Sequence, residues 1–239
     1  MQTLRVRTPR SVLLTALLAV VVVAGALIAV MALRPRPDAP AATDPAAASP
    51  PVTAPAEPSC GPGPCDQLAA QTVGGVPVIL LAAPTGKFAQ LRIGTGQGAV
   101  VDLTITGMGA TLSKESLRCV DGASASCLIR GDLDGGAVGD VVVNRGGTWR
   151  GSGRPYLADA GNISLSDVTG DGTADVIVVR HECPGAQSGS PKCQAAPVLA
   201  EVYDLAGTPI GCTKKYTSPS QLKGWPEVRL TKPELRACP

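Results

Sequence analysis

The chain has 239 residues, a formal net charge of +2 and only 3% aromatic residues. This length allows one full domain or two small ones, so a large multidomain enzyme is excluded. Residues 1–59 contain five Lys/Arg and three Asp/Glu, which leaves 16 of each sign in the remainder. A neutral, aromatic-poor domain predicts no nucleic-acid partner, because such binding needs a basic surface and, for single strands, aromatic stacking.

Residues 12–33 form an uncharged apolar segment that predicts a transmembrane helix. These 22 residues reach roughly 33 Å at about 1.5 Å per residue, which matches a bilayer core. Arg5, Arg7 and Arg10 precede the segment, so the positive-inside rule places residues 1–11 in the cytoplasm. A cleaved signal peptide is the alternative, but its apolar region is usually shorter. We predict a signal-anchor of a single-pass cell-membrane protein whose C-terminal part is extracellular.

Residues 34–59 form a Pro/Ala-rich linker with eight Pro and eight Ala in 26 positions. Such a composition cannot bury a core, and dense proline favours extended polyproline II. We therefore predict a semi-rigid spacer that separates the bilayer from a domain covering residues 60–239.

All eight cysteines lie in that domain, and an even number in an exported chain indicates disulfides. Pairing consecutive cysteines closes short local loops. A zinc site is disfavoured, since the chain has no CxxC pair and a single His. We predict the pairs Cys60–Cys65, Cys119–Cys127, Cys183–Cys193 and Cys212–Cys238.

Beyond residue 70, short β-branched runs alternate with glycine-rich and polar turns, which predicts an all-β domain. The segment 132–145, DLDGGAVGDVVVNR, aligns with 167–180, DVTGDGTADVIVVR, at an offset of 35 residues. A weaker third copy lies near residues 94–105, where GAVVDLTI matches GAVGDVVV of the first segment. A period of this size predicts stacked β units.

The second copy has the ligand spacing of a calcium loop. Asp167, Thr169, Asp171, the Thr173 carbonyl and Asp175 occupy alternate positions, so their oxygens can converge on one hard cation. A structural Ca²⁺ would reduce the repulsion among the three carboxylates. The alternative is an Asx-turn without an ion, because Asp and Gly are common turn residues.

The first copy has a weaker set of candidate ligands. Gly136 replaces the middle aspartate, which leaves Asp132, Asp134 and Asp140. The sequence does not decide whether this loop binds a metal.

The DxxGDGxxD spacing followed by a hydrophobic strand resembles the FG-GAP/VCBS family of extracellular β repeats. The second copy is not an EF-hand, because Val178 stands where a bidentate Glu is required and strand-forming residues follow. The resemblance implies a calcium loop between propeller-blade strands and a role in adhesion or ligand binding. It favours an FG-GAP-like repeat array forming a small or partial β-propeller, with a β-sandwich as the alternative.

No catalytic residues are predicted. His181 stands beside a predicted disulfide cysteine, and the chain has no GxSxG nucleophile motif. The isolated aromatics Trp149, Tyr156 and Trp225 suit either core packing or a binding patch. We predict a non-enzymatic binding or adhesion module with an unidentified extracellular protein or glycan ligand. An anchored extracytoplasmic hydrolase or enzyme accessory protein is the alternative, and it would need a second charged cluster in a cleft.

Overall fold

The computed structural model describes residues 59–61, 63–96, 98–185 and 189–239. The predicted cytoplasmic tail, the signal-anchor helix at 12–33 and the linker up to residue 58 lie outside these ranges. Across the part of the chain that the structure describes, no helix has the length and apolar character needed to cross a membrane.

The described chain is all-β, as the sequence predicts. The helical elements in the described ranges are α1 (Pro191–Gln194) and three 3-10 turns, Ile105–Met108, Pro219–Gln221 and Lys232–Glu234. The strands are β1 (Ser59–Cys60), β2 (Gly63–Pro64), β3 (Asp66–Val73), β4 (Val76–Ala82), β5 (Ala89–Ile93), β6 (Ala99–Asp102), β7 (Leu117–Val120), β8 (Ser126–Leu133), β9 (Gly136–Arg145), β10 (Thr148–Gly151), β11 (Tyr156–Ala158), β12 (Asn162–Ser166), β13 (Asp175–His181), β14 (Val198–Tyr203) and β15 (Pro209–Cys212).

Three antiparallel sheets follow one another along the chain, and each is built on a four-stranded meander, to which β11 adds a fifth strand in the second sheet. The first sheet has the order β3-β4-β5-β6, the second β10-β9-β8-β7 with β11 also paired to β9, and the third β12-β13-β14-β15. Strands β1 and β2 form a separate small hairpin. Connections within each four-stranded meander are sequential, as expected where turns rather than crossovers join the strands, whereas β11 returns to pair with β9.

Hydrophobic clusters show that the three sheets stack face to face. In β8, Cys127 and Ile129 pack against the first sheet, whereas Leu128 packs against the third. Both sides of β8 are therefore buried, and consecutive residues Cys127, Leu128 and Ile129 are apolar rather than alternating with polar ones. The far face of the third sheet, which includes Ile177 and Val202, is covered by C-terminal residues such as Leu222.

A glutamine side chain joins the first sheet to the second. The Gln71 Nε2 atom donates to the Leu117 carbonyl at 3.0 Å, and its Oε1 atom accepts from the Cys119 amide at 2.7 Å. The side chain thus replaces the backbone hydrogen bonds that two adjacent strands would make. This link connects β3 to β7 without merging the sheets.

The four predicted disulfides are confirmed. The structure contains Cys60–Cys65, Cys119–Cys127, Cys183–Cys193 and Cys212–Cys238. Cys119 and Cys127 are direct partners in the β7–β8 register, so their disulfide crosses one hairpin.

The sheets do not close into a ring or barrel among the described residues. The copies of the sequence repeat also do not correspond to whole sheets. Segment 132–145 covers the end of β8 and all of β9, both inner strands of the second sheet. Segment 167–180 covers a loop and most of β13, beside the edge strand β12 of the third sheet. The weak third copy coincides with the edge strand β6 and the turn after it, so it differs in sheet position from the first two copies, whose strands β9 and β13 are both inner strands.

Candidate functional site

The predicted calcium loop joins β12 to β13 and is shaped by aspartate side chains that accept backbone hydrogen bonds. Asp167 Oδ1 accepts from the Gly170 amide at 2.7 Å, and its Oδ2 accepts from the Gly172 amide at 2.9 Å. Asp171 Oδ1 accepts from the Thr173 amide at 2.8 Å. Both glycines have positive φ, of 77° and 81°, so they permit a curl that a side chain would resist.

Asp175 is the buried acceptor that closes this loop. The residue is 3% exposed, and Oδ2 accepts from the Val168 amide at 2.9 Å and the Thr169 amide at 3.1 Å. The Thr169 hydroxyl donates to the same oxygen at 3.3 Å. Burial raises the pKa of Asp175, and the donated hydrogen bonds counteract part of that rise.

These contacts divide the predicted calcium ligands into two groups. Asp167 and Asp171 are exposed, whereas Asp175 and the Thr169 hydroxyl bond to each other inside the loop. Each carboxylate oxygen has two lone pairs, so Asp167 and Asp171 retain the capacity to bind a hard cation while accepting backbone bonds. The calcium site with Thr173 as a carbonyl ligand stays a prediction.

Two other side-chain groupings bring three ligand-type atoms within 4.8 Å of one another in the described ranges. They are Asp159 with Cys183 and Cys193, and Glu201 with Cys212 and Cys238. All four cysteines are in disulfides, and a disulfide sulfur is not the thiolate that binds metals. Neither grouping has the chemistry of a metal site.

The first repeat copy folds differently from the second. Leu133 pairs with Gly136, so Asp134 and Gly135 form a two-residue hairpin turn where the second copy has an eight-residue loop, 167–174. Asp132 pairs with Ala137, whereas Asp140 lies opposite Ile129, three positions further along the ladder. At about 3.3 Å per residue this separates Asp132 from Asp140 by roughly 10 Å along the strands. The first copy therefore does not gather its three aspartates.

Asp140 instead joins the second sheet to the chain that follows the first sheet. Its Oδ2 accepts from the Thr104 amide at 2.7 Å and the Ile105 amide at 3.3 Å, and its Oδ1 accepts from the Thr104 hydroxyl at 2.9 Å. Asp140 as a whole is 9% exposed. This residue has a structural role that ligand spacing alone did not indicate.

A polar cleft lies at the interface of the second and third sheets. It has a volume of about 390 Å³ and is lined by Arg154, Pro155, Tyr156, Leu157, Val178, Arg180, Glu201 and Tyr203. The first four belong to β11 and the loop before it, and the others lie on β13 and β14. The cleft is thus assembled from two sheets and from sequence positions up to 49 residues apart.

The cleft contains one balanced and one unbalanced arginine. Arg180 Nε donates to Glu201 Oε2 at 2.7 Å. The Arg154 guanidinium lies 5.1 Å from the Tyr156 ring centroid and 4.8 Å from that of Tyr203, within cation-π range. Among the described residues, no carboxylate oxygen lies within 4.0 Å of its nitrogens.

The two tyrosines of the cleft differ in their hydroxyl groups. Burial, followed by a hydrogen bond with Glu201, raises the pKa of Tyr203 to about 12, so this phenol stays protonated at neutral pH. Tyr156 is 4% exposed, and within the described ranges its hydroxyl has no hydrogen-bond partner. The rings meet edge to face with centroids 5.4 Å apart. Tyr156 therefore packs in the core and also lines the cleft, and its part in a binding patch stays a prediction.

His181 lies at the end of β13 against Asp159. The His181 amide donates to Asp159 Oδ1 at 2.7 Å, and its Nδ1 atom lies 3.4 Å from the same oxygen. The longer contact lacks good hydrogen-bond geometry, so we regard the amide bond as the one that fixes this pair. This arrangement orients a strand end.

No protein-family model, curated protein or solved structure matches this chain. The FG-GAP/VCBS resemblance therefore stays a prediction from the 14-residue repeat. The Asp167 loop is marked by the local spacing of its aspartates. The cleft is not evident from the sequence, because no local motif marks Arg154, Glu201 and Tyr203 as neighbours.

Proposed function

We propose that this chain is a membrane-anchored extracellular binding or adhesion module without catalytic activity. The observation that supports it is the stack of three antiparallel sheets, two of four strands and one of five, with a polar cleft between the second and third sheets. We further propose that the stack is an FG-GAP-like array forming a partial propeller. Rigid β scaffolds commonly present ligand sites at such junctions between elements.

Disulfides support an extracellular location for this module. Four bridges, which persist in oxidising compartments, fix the first hairpin, the second sheet, the loop before β14 and the C-terminal segment. In this proposal residues 12–33 anchor the chain in the membrane and residues 34–59 space the domain from it. The Asp167 loop has a structural part, with Ca²⁺ bound by its exposed carboxylates.

The cleft side chains suit binding more than bond cleavage. Arg180 and Glu201 neutralise each other, and the Tyr203 hydroxyl is held protonated. A hydrolase needs a positioned nucleophile or a pair of acids with separated pKa values. Glu201 is paired with a cation and has no second carboxylate among the residues that line the cleft.

The test is a binding panel with the full chain in mild detergent and millimolar calcium. The panel contains neutral glycans, acidic glycans, isolated cell walls and extracellular matrix proteins, and mass spectrometry records any breakdown of each ligand. Saturable binding without turnover is the expected result. Ligand breakdown at a catalytic rate, or the absence of saturable binding across the panel, would contradict the proposed function.

A further inference from the structure

We propose that the cleft between the second and third sheets binds a carboxylate-bearing sugar residue of an acidic glycan, with Arg154 holding the sugar carboxylate. This inference rests on the proposed binding function and specifies its ligand class and its site.

The Arg154 guanidinium is positioned before any ligand arrives. It stacks near two tyrosine rings, and Gly207 lies beside it. A Cβ atom at Gly207 would lie 2.8 Å from Arg154 Nε, so only glycine leaves room for this placement. Arg154 is exposed, so its N–H donors are accessible, and a guanidinium stacked on these rings offers parallel donors that match a carboxylate.

The charges of the cleft favour one anionic group. Arg154 and Arg180 contribute two positive charges and Glu201 one negative charge, which gives a net charge of +1. Since Glu201 is already paired with Arg180, the charge that remains to be balanced is that of Arg154. The site therefore has the electrostatics for a single carboxylate beside otherwise neutral polar groups.

The remaining groups suit a sugar more than a peptide. Glu201 and the Tyr203 hydroxyl oxygen are acceptors while the terminal nitrogens of Arg180 are donors, and a polyhydroxylated ring can satisfy both kinds of group. Leu157 at the rim is 55% exposed and offers an apolar surface for the C–H face of the ring. The volume of about 390 Å³ lies near the lower end of small-molecule sites and suits one or two sugar rings. A protein partner would instead require a larger surface with buried aromatic anchors.

The experiment is isothermal titration of the full chain in mild detergent with trigalacturonic acid and with its methyl ester. The ester keeps the shape of the sugar and removes its charge. We expect saturable binding of the acid and at least tenfold weaker binding of the ester. Arg154→Gln should weaken binding of the acid by about tenfold to a hundredfold, the range for loss of a charge-assisted hydrogen bond.

Two variants separate this contact from general electrostatics and from misfolding. Arg150→Gln removes the same charge from an exposed arginine that does not line this cleft, and should change affinity less than about threefold. Arg154→Lys keeps the charge but loses the paired donors, so its affinity should lie between those of the wild type and Arg154→Gln. Thermal unfolding of each variant verifies that it is folded.

Several outcomes would overturn the inference. Equal binding of acid and ester would exclude carboxylate recognition, and equal losses in Arg150→Gln and Arg154→Gln would exclude this cleft. Equally tight binding of tetraglutamate would exclude a sugar-specific site. If trigalacturonic acid does not bind while another panel ligand does, this inference fails and the proposed function stands. If nothing in the panel binds, both fail.

Discussion

Asp175→Ala tests how much stability the buried carboxylate of the β12–β13 loop contributes. Asp175 accepts hydrogen bonds from the amides of Val168 and Thr169 and from the Thr169 hydroxyl. A buried donor left without a partner costs about 1–3 kcal/mol. Val168 is buried, but Thr169 is half-buried, so water can replace Asp175 as the partner of the Thr169 donors more easily than of the Val168 amide. We expect the free energy of unfolding to fall by about 2–4 kcal/mol.

Urea unfolding and calorimetry with intact disulfides, in the presence of a chelator, measure this loss without a contribution from calcium. A domain of this size loses about 2–4 °C in Tm per kcal/mol, so Asp175→Ala should melt about 4–16 °C lower. Asp175→Asn keeps an acceptor oxygen and removes the buried charge, so its loss should be smaller. Asp171→Ala is the exposed control, with an expected change within about 0.5 kcal/mol.

A loss below about 1 kcal/mol in Asp175→Ala would refute the reasoning, because it would show that the amides find other partners at little cost. An equal loss in Asp171→Ala would also refute it. That result would mean that the exposed turn, rather than the buried acceptor, holds the loop.

Three further predictions concern pH, calcium and a disulfide. Because burial raises the pKa of Asp175, the folded chain keeps this proton to higher pH than the unfolded chain does. The wild type should therefore lose stability relative to Asp175→Asn as pH rises above the ordinary value of 3.8, until the raised pKa is passed. Calcium at ten times its dissociation constant should add about 1.4 kcal/mol, or about 3–6 °C in Tm, and Asp171→Ala should reduce this gain. Replacing Cys212 and Cys238 with alanine should cost about 3.5 kcal/mol, since their disulfide closes a separation of 26 residues.

Each of these predictions has its own control. A pH-independent difference between the wild type and Asp175→Asn would contradict the raised pKa. Identical melts in calcium and in chelator would leave the Asp167 loop as a turn without an ion. The loss on replacing Cys212 and Cys238 is compared with the loss on replacing Cys60 and Cys65 with alanine. The Cys60–Cys65 disulfide closes a separation of 5 residues, so its removal should cost about 2 kcal/mol. Equal losses for the two pairs would show that loop closure does not determine their contributions.

Local features were predictable because nearby residues encode them. Cys119 and Cys127 flank one turn, and their direct pairing follows once β7 and β8 form a hairpin. The apolar, β-branched segments likewise predict strands wherever polar turns bound them. No comparable signal places a strand within a sheet. The copies at 132–145 and 167–180 accordingly share sequence, but β9 is the third strand of its meander along the chain and β13 is the second.

A few substitutions explain why the two copies differ locally. Gly136 and Ala137 allow β9 to begin directly after a two-residue turn, whereas Asp171 and Gly172 keep the corresponding chain in a loop. The Asp171 side chain accepts a hydrogen bond from a backbone amide two residues later, which competes with strand pairing. The length of each loop therefore depends on whether a side chain competes with strand pairing for backbone amides. The aspartate spacing that the two copies share does not reveal this difference.

The cleft could not be predicted because its parts meet only through sheet stacking. Arg154 precedes β11 of the second sheet, and Tyr203 ends β14 of the third. Their approach depends on the second hydrophobic cluster, in which Tyr156 packs with Val176 and Val178. Packing of this kind is nonlocal, so sequence reasoning could identify Tyr156 as a candidate without identifying its neighbours.

The aligned aspartates Asp140 and Asp175 perform the same task with donors from different places. Each is buried and accepts from a threonine hydroxyl and from two consecutive amides. For Asp175 the donors belong to its own loop, whereas for Asp140 they are Thr104 and Ile105, which follow the first sheet. A carboxylate at this repeat position therefore serves folding whether or not a cation binds nearby. It follows that the last aspartate of the motif carries little information about calcium, and that the exposed Asp167 and Asp171 are the residues on which the calcium prediction depends.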